Sequence, residues 1–453
     1  MTWIVWPQLA LLPLPLCLAA ECLPQADMQL YAQHAWAHRT PSYWRIMQNH
    51  PYRQDNGVSD LAIRYDNRCE LIANALRADF SLVGLAAYPW RTPGAFAREM
   101  RHARALVHQM SLTYPLSERR LFSVGKLSAQ PGPFYIKSPA ELLRNYDAGF
   151  KASRIYSPAL QKIYVASFWG IKLSEERPDY GWSFTLAPQL TSVKRRDESF
   201  SNWPAIQRSN ASERYLLSYS DYRLPGHAPS VSVRLGDSPA LAVADSFYPV
   251  PRWMFNAELA WHAKRQWRHF SETYAAQVKD HAFPAALFQR TRRPGMELAL
   301  SAQYSSQRLS QFGVEYYFQS EGYSRQQWRR QRDFLRYLHR PTGVAPWDRV
   351  RAAYTYLMAA EIENIAGQGN RQGKHYLNTY AAWTIANAAS LQAYRLVNLQ
   401  DNSAMLGLHL SQPLTQADID IYGGAYCTQG NRSTEFGLIG KVAGIYSGIK
   451  YYF

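Results

Sequence analysis

In "ADIDIYGGA" two aspartates, Asp418 and Asp420, flank a single isoleucine. Alternate residues of a β-strand share a face, which would set the two carboxylates about 7 Å apart. A pair at that spacing could hold a cation or divide acid and base roles. With no nucleophile or third acid placed beside it, a solvated polar face is the simpler account. His34 and His38 could also share a face, but two histidines alone suit a surface position better than a metal site. Gly125-Lys126 lacks the upstream glycine of a phosphate-binding loop. Ser447 in "GIYSG" sits one place off the spacing of a nucleophile elbow. The densest charged constellation is the six arginines of "SRQQWRRQRDFLRYLHR": Arg325, Arg329, Arg330, Arg332, Arg336 and Arg340. Guanidinium groups take carboxylates and phosphates in two parallel hydrogen bonds. This cluster therefore reads as an anion-attracting surface if it lines a pore or rim, and as a solvated basic loop if it does not. No catalytic group, cofactor or metal site emerges from these patterns, and an enzyme is not expected.

The arginines belong to a helix. Ser324 and Gln327 have capping-box spacing, Trp328, Leu335 and Leu338 fall near one face, and Pro341 ends the run. A second helix, "PWDRVRAAYTYLMAAEIENIAG", follows with Pro346 at its start. Elsewhere the period is two, the mark of strands. In "MELALSAQY", Met296, Leu298, Leu300, Ala302 and Tyr304 oppose Glu297, Ala299, Ser301 and Gln303. The same alternation runs through "YGWSFTL" (180–186), "SVSVRL" (230–235), "SAMLGLHL" (403–410) and "ADIDIYGGA" (417–425). Weaker strand candidates are 28–38, 58–65, 70–83, 102–114, 119–127, 146–156, 160–172, 213–222, 239–248, 253–265, 284–292, 308–319, 375–385, 389–399 and 442–453. The total is about twenty. The polar faces are small or acidic, as a wetted interior tolerates, with little of the Lys/Glu mixture of a solvated surface.

A chain of 453 residues exceeds one ordinary soluble core, but not a closed barrel, whose size follows strand number. It holds 31 Tyr, 18 Phe and 14 Trp at a mean hydropathy of −0.37. Many aromatics without high hydropathy suit a membrane-spanning barrel, which alternates apolar and polar faces between two aromatic girdles. The net charge of +16 favours anionic partners. Without a helix-turn-helix, zinc-finger or RNA-binding signature, nucleic acid is not expected among them. Residues 3–20, "WIVWPQLALLPLPLCLAA", read as a signal peptide cleaved near Ala19 or Ala20, so that residues 1–20 are removed. No later stretch reaches the ~18 apolar residues of a spanning helix. Cys69 and Cys427 are the clear mature cysteines, and whether they pair is left open by sequence.

The chain ends "GIYSGIKYYF". Ile445, Ile449, Tyr451 and Phe453 share one register; Tyr446, Gly448, Lys450 and Tyr452 share the other. A terminal phenylalanine behind alternating apolar residues, in a chain that opens with a signal and continues in period-two strands, resembles Gram-negative outer-membrane β-barrel proteins. In that family the last strand is read by the barrel assembly machinery, a role the resemblance assigns to Phe453, Tyr451 and Ile449. Fainter similarity to large porin-like export and uptake barrels lies in "RRLFSVGKLSAQPGPFYIKSPAELL" (119–143). There Gly125-Lys126, Gly132 and Ser138-Pro139 parallel a "GKQ…WG…NP" segment. "GVEYYFQSEGYS" (313–324), "NLQDNSAML" (398–406) and "TEFG" (434–437) add to it.

The expected fold is all-β. It is a transmembrane antiparallel β-barrel of about 18 strands, with 16–20 allowed, occupying residues 21–453. A helical extracellular loop is inserted at about 320–372; counting strands back from a periplasmic Phe453 places it outside. The expected location is the cell outer membrane. The expected function is porin-like passage of small hydrophilic solutes, anionic ones favoured by the charge. Surface-polysaccharide export or a structural outer-membrane barrel is the alternative; a barrel hydrolase, with few strands and a catalytic cluster at the rim, fits less well. Expected partners are outer-membrane lipid and lipopolysaccharide, the assembly machinery and the solutes.

Overall fold

The structure, a computed structural model, describes residues 26–453 apart from 41–56, 74, 91–101, 130–131, 144–166, 191–209, 211, 308–309, 368–370, 386–387, 415–416, 432 and 439–441. The signal segment and the strand candidate at 146–156 lie outside the described residues. One sheet contains β1 Asp27–Arg39, β2 Gly57–Ile72, β3 Leu76–Pro89, β4 His102–Ser117, β5 Arg120–Ser128, β6 Ser167–Glu176, β7 Tyr180–Ala187, β8 Arg214–Asp221 and β9 Ser230–Gly236. It continues through β10 Ala240–Phe247, β11 Trp253–Phe270, β12 Phe288–Ser305, β13 Gln311–Gln319, β14 His375–Thr384, β15 Ser390–Asn398, β16 Ala404–Leu414, β17 Ile419–Gln429 and β18 Val442–Tyr452. Each strand pairs antiparallel with its sequence neighbour, and β1 pairs with both β2 and β18. The sheet is therefore a closed 18-stranded barrel with no free edge.

The Phe453 N–H donates to the Met28 carbonyl at 3.0 Å, so the start of β1 and the end of β18 lie at one rim, the terminal rim. Connections at this terminal rim are short, such as 73–75, 118–119 and 177–179. At the far rim most are long, including 129–166, 188–213 and 320–374. The faces follow the period-two pattern. Met296 and Leu300 are 40 % and 43 % exposed on the outside, whereas Glu297 and Ala299 are fully buried on the inside. Outward aromatics gather toward the rims: Trp253, Tyr304, Phe312 and Trp383 near the termini, Trp36, Tyr88 and Trp261 toward the far side. From Trp253 to Trp261 a tilted strand rises roughly 20 Å, close to the height of a bilayer's apolar band.

Inside, tyrosines cover glycines across the strand pairs. Gly444, Gly448 and Gly424 stand opposite Tyr426, Tyr422 and Tyr446, and Gly407 opposite Tyr394. A Cβ at Gly444 would approach the Tyr426 ring to 2.4 Å. Each ring lies flat where a neighbouring side chain would stand, and so shields the backbone of the strand beside it.

Two strand candidates, 284–292 and 296–304, prove to be parts of β12, which runs through Pro294. The β11–β12 register jumps between His262 and Arg265, so His262 faces Gly295, Arg265 faces Arg293, and Pro294 falls in the bulge, where no ladder bond is needed. The candidate 70–83 straddles the turn at 73–75 between β2 and β3. The far rim carries α1 Glu272–Lys279, α2 Arg325–Leu338 and α3 Ala345–Gly367, with a short α4 at Glu435–Leu438. The first three bury a shared core of Val278, Phe334, Leu335, Leu338 and Met358 against Phe288 of the barrel. Ser324 and Gln327 form the reciprocal capping box. Among the described residues no helix is long and apolar enough to cross a membrane, which says nothing of crossing by strands. Cys69 is disulfide-bonded and Cys427 is free, so the two do not pair.

Candidate functional site: a segment across the lumen

After Ser128 the chain leaves β5, and residues 132–143 fold inside the barrel. The backbone N–H groups of Tyr135 and Ile136 donate to Glu315 at 2.7 and 3.2 Å. Glu315 lies on β13, eight strands from β5 one way round an 18-strand ring and ten the other. The segment therefore crosses the lumen. It then returns along the wall. Ala140 N donates to Glu258 on β11 at 2.9 Å. Arg234 on β9 donates to the Leu142 carbonyl at 2.6 Å, and Arg214 on β8 donates to that of Leu143. Two wall carboxylates thus hold backbone donors and two wall guanidiniums hold backbone acceptors.

A third carboxylate, Glu297 on β12, holds a side chain. It forms an ion pair with Lys137 of the crossing segment and accepts a hydrogen bond from Tyr317. Arg265 lies at 2.9 Å from it and His262 at 3.1 Å. Residues 262 and 265 would point to opposite faces of a regular strand; the β11 bulge turns both toward one carboxylate. Phe134 completes the attachment, buried with Ala299, Tyr317, Tyr376 and Leu396. Within the segment, a Cβ at Gly132 would stand 2.0 Å from Ser138 Oγ, so the backbone closes on itself only with glycine there.

A second polar knot lies at the far rim beside this cluster. Glu435 of α4 accepts hydrogen bonds from Tyr376 Oη at 2.6 Å, Asn398 Nδ2 at 2.6 Å and Gln372 N at 3.0 Å. Its own N–H donates to Asp401 at 2.7 Å, and the next N–H, of Phe436, donates to Ser403 Oγ at 3.2 Å. Burial pushes the Glu435 carboxyl above its ordinary range, against the pull of the bonds from Tyr376 and Gln372. The four short segments that carried the porin-like resemblance, at 119–143, 313–324, 398–406 and 434–437, supply Lys137, Glu315, Asn398 and Glu435, and they meet here.

The sequence-selected residues fall as follows. Asp418 sits in the turn before β17 with φ of 51° and is exposed, so the carboxylate pair does not share a strand face. A left-handed turn residue breaks the alternation on which that pairing relied. Asp420 faces inward, accepts from Tyr452 Oη at 2.5 Å and lies opposite Lys450. Five of the six helix arginines, Arg325, Arg329, Arg330, Arg336 and Arg340, are exposed on the far-rim cap, and Arg332 is half-buried. Arg325 donates to the Gln400 carbonyl at 2.7 Å, and Arg330 pairs with Glu272. The lumen is crossed by 132–143 instead. Ile449 and Phe453 face outward and are exposed, with Tyr451 edge-on to the Phe453 ring at 4.6 Å. His34 meets Ser59 at 3.0 Å and Trp90 edge-on, and His38 stacks on Trp36, which places both among outward aromatics. Among the described residues no group of three or more metal-ligating side chains gathers. Lys126 donates to the Val107 carbonyl at 2.6 Å, a structural use.

Sequence reading did not single out Glu258, Glu297 and Glu315. The available signal was an acid on the inner face of three successive strands whose outer faces are uniformly apolar.

No family model matches the sequence, and no curated protein does. Solved structures match over nearly the whole chain. OccAB1 of Acinetobacter baumannii superposes with a TM-score of 0.52 at 9% identity, covering 94% of this chain and 96% of that one. OccK11 (OpdR) of Pseudomonas aeruginosa gives 0.50 at 10% identity, covering 94% and 95%. The chain has the fold of these structures, a closed 18-strand antiparallel β-barrel.

Proposed function

We propose that the protein is an outer-membrane channel for small hydrophilic solutes, with an anion preference set at its mouth. The observation that carries this is the chain segment 132–143 held across an 18-strand lumen by wall carboxylates and guanidiniums. A barrel of this strand number encloses an aqueous passage, and an attached crossing segment narrows it without closing the wall. The apolar belt between aromatic rims supports membrane insertion, the short-turn rim being periplasmic and the helical cap extracellular. The exposed cap arginines and the +16 charge support the anion preference, since a field of one sign concentrates counter-ions at an entrance. We propose a channel rather than an enzyme because the densest buried polar cluster, around Glu297, is consumed in holding the segment. We further propose that residues 1–20 are the export signal and that Phe453, Tyr451 and Ile449 present the assembly signal.

Reversal potentials across a planar bilayer under a salt gradient test this. An anion-selective conductance is expected, with selectivity reduced when Arg325, Arg329, Arg336 and Arg340 become Gln. Cation selectivity would remove the role of the cap, and an inserted barrel without conductance would favour a structural or partner-gated barrel.

A further inference from the structure

One cross-strand row of the inner wall carries three tyrosines. From β12 to β17 it runs Gln303, Gly313, Tyr380, Tyr394, Gly407, Tyr426, and it continues to Gly444 of β18. Tyr380 leans over Gly313, Tyr394 over Gly407 and Tyr426 over Gly444, where an added Cβ would meet the rings at 2.1, 2.3 and 2.4 Å. A ring laid along the wall turns its other face to the lumen, and all three tyrosines keep part of their surface open. From Tyr380 to Tyr426 the row crosses three strand spacings, roughly 14 Å.

The crossing segment lengthens this strip. Its wall anchors stand on β8 to β13. Phe134 and Lys137 are buried in that attachment, whereas Tyr135 between them is 66 % exposed, more than any outward aromatic described. Its ring rests on Tyr380, with centroids 4.4 Å apart and planes tilted by 53°. The charges nearby narrow what the strip can take. In the inner rows on either side, from β13 to β17, Glu315 and His409 are the acid and the base. Glu315 is taken up by the N–H groups of Tyr135 and Ile136 and by Asn378 at 3.2 Å, and His409 meets Tyr446 Oη at 2.8 Å. No lysine or arginine stands in these three rows. Gln303 is in the row itself, and Gln392, exposed to the lumen, is in the next.

We propose that this strip binds a neutral saccharide on its way through the barrel, the C–H face of the sugar lying on the tyrosine rings and its hydroxyls reaching the amides of Gln303 and Gln392. This names a solute class for the passage and rests on the channel reading above. A pyranose has an apolar face and a belt of hydroxyls, and a tyrosine ring edged by amides matches both. An anionic solute would meet no cation in these rows to replace its lost hydration. A flat aromatic solute would cover the rings and leave the amides unpaired.

The test records single channels of the full chain in planar bilayers at about 1 M salt, which screens the cap arginines. Maltotriose should block the wild type saturably. Tyr135→Ala should need about five- to ten-fold more maltotriose for half-block, the weight of one aromatic contact. Tyr394→Leu, which keeps an apolar cover on Gly407, should show a similar shift and serves if Tyr135→Ala does not insert. Tyr135→Phe, which keeps the ring, should stay close to the wild type. Sorbitol, with hydroxyls but no ring, should lower the current only through viscosity, and trigalacturonate should block more weakly than maltotriose. Unchanged half-block in Tyr135→Ala and Tyr394→Leu, saturable block by sorbitol, or tighter block by trigalacturonate overturns the proposal. An inserted barrel without conductance fails the channel reading itself; a conducting barrel that maltotriose does not block fails only the saccharide strip.

Discussion

Glu297 joins the crossing segment to the wall through charge. It is buried, and its carboxylate faces Lys137 and Arg265 together. Glu297→Gln removes the carboxylate that Lys137 and Arg265 share, leaving Arg265 its contact with Glu321 at 3.2 Å, and breaking such a buried pair costs about 3–5 kcal/mol. The folded form should lose its heat resistance at a lower temperature, and the open-channel current should grow noisier as Lys137 lets go. Lys137→Met in the same background should recover part of the stability, because it removes a buried charge that the carboxylate no longer balances. Glu435 adds a pH dependence. Its carboxyl is raised in the folded state, so the folded chain binds that proton more tightly than the unfolded one does. The far-rim knot therefore contributes most below the ordinary carboxylate value and weakens as pH rises through the folded group's own pKa. Current noise should increase with pH over that window, and Glu435→Gln should flatten the dependence. At this scale little was legible beforehand. Glu297 was visible as an inward residue, but its partners come from a bulge and a loop, and period-two reasoning carries no information about either.

The strands were far more legible, because a one-residue error would turn an apolar row into the lumen. Thus "MELALSAQY" and "GIYSGIKYYF" have the faces that their alternation indicates. The errors fell where another rule overrides alternation: Pro294 at the β12 bulge, and the positive-φ turn residue Asp418. The tyrosine–glycine pairs make their own prediction. Gly444→Val drives a side chain into the Tyr426 ring, an overpacking that costs about 1–3 kcal/mol. Thermal unfolding of the inserted barrel should move down accordingly, and Tyr426→Ala should relieve part of the loss. For β18, deleting Phe453 should lower the yield of inserted barrel while leaving the conductance of any inserted molecules unchanged. Normal insertion of the truncated chain would end the assembly-signal reading.

For the whole molecule, closure and crossing are separate features. Closure follows from the composition of the wall: apolar outward, small or polar inward, with each described strand paired on both sides except at the bulges. Strand number was legible to within a hairpin, since it depends only on counting dyad segments. The lumen crossing was not, because residues 132–143 carry no period and are placed by anchors on β8, β9, β11, β12 and β13. Those anchors fix the segment across the lumen, and in the proposed channel it is a constriction rather than a loose plug. The most direct measurement is single-channel conductance in planar bilayers for the wild type and for a variant with residues 132–143 replaced by a short Gly-Ser link. The account predicts a small, steady conductance for the wild type and a several-fold larger one for the variant, since current scales with the open cross-section. Equal conductances, or none from either folded barrel, would contradict it.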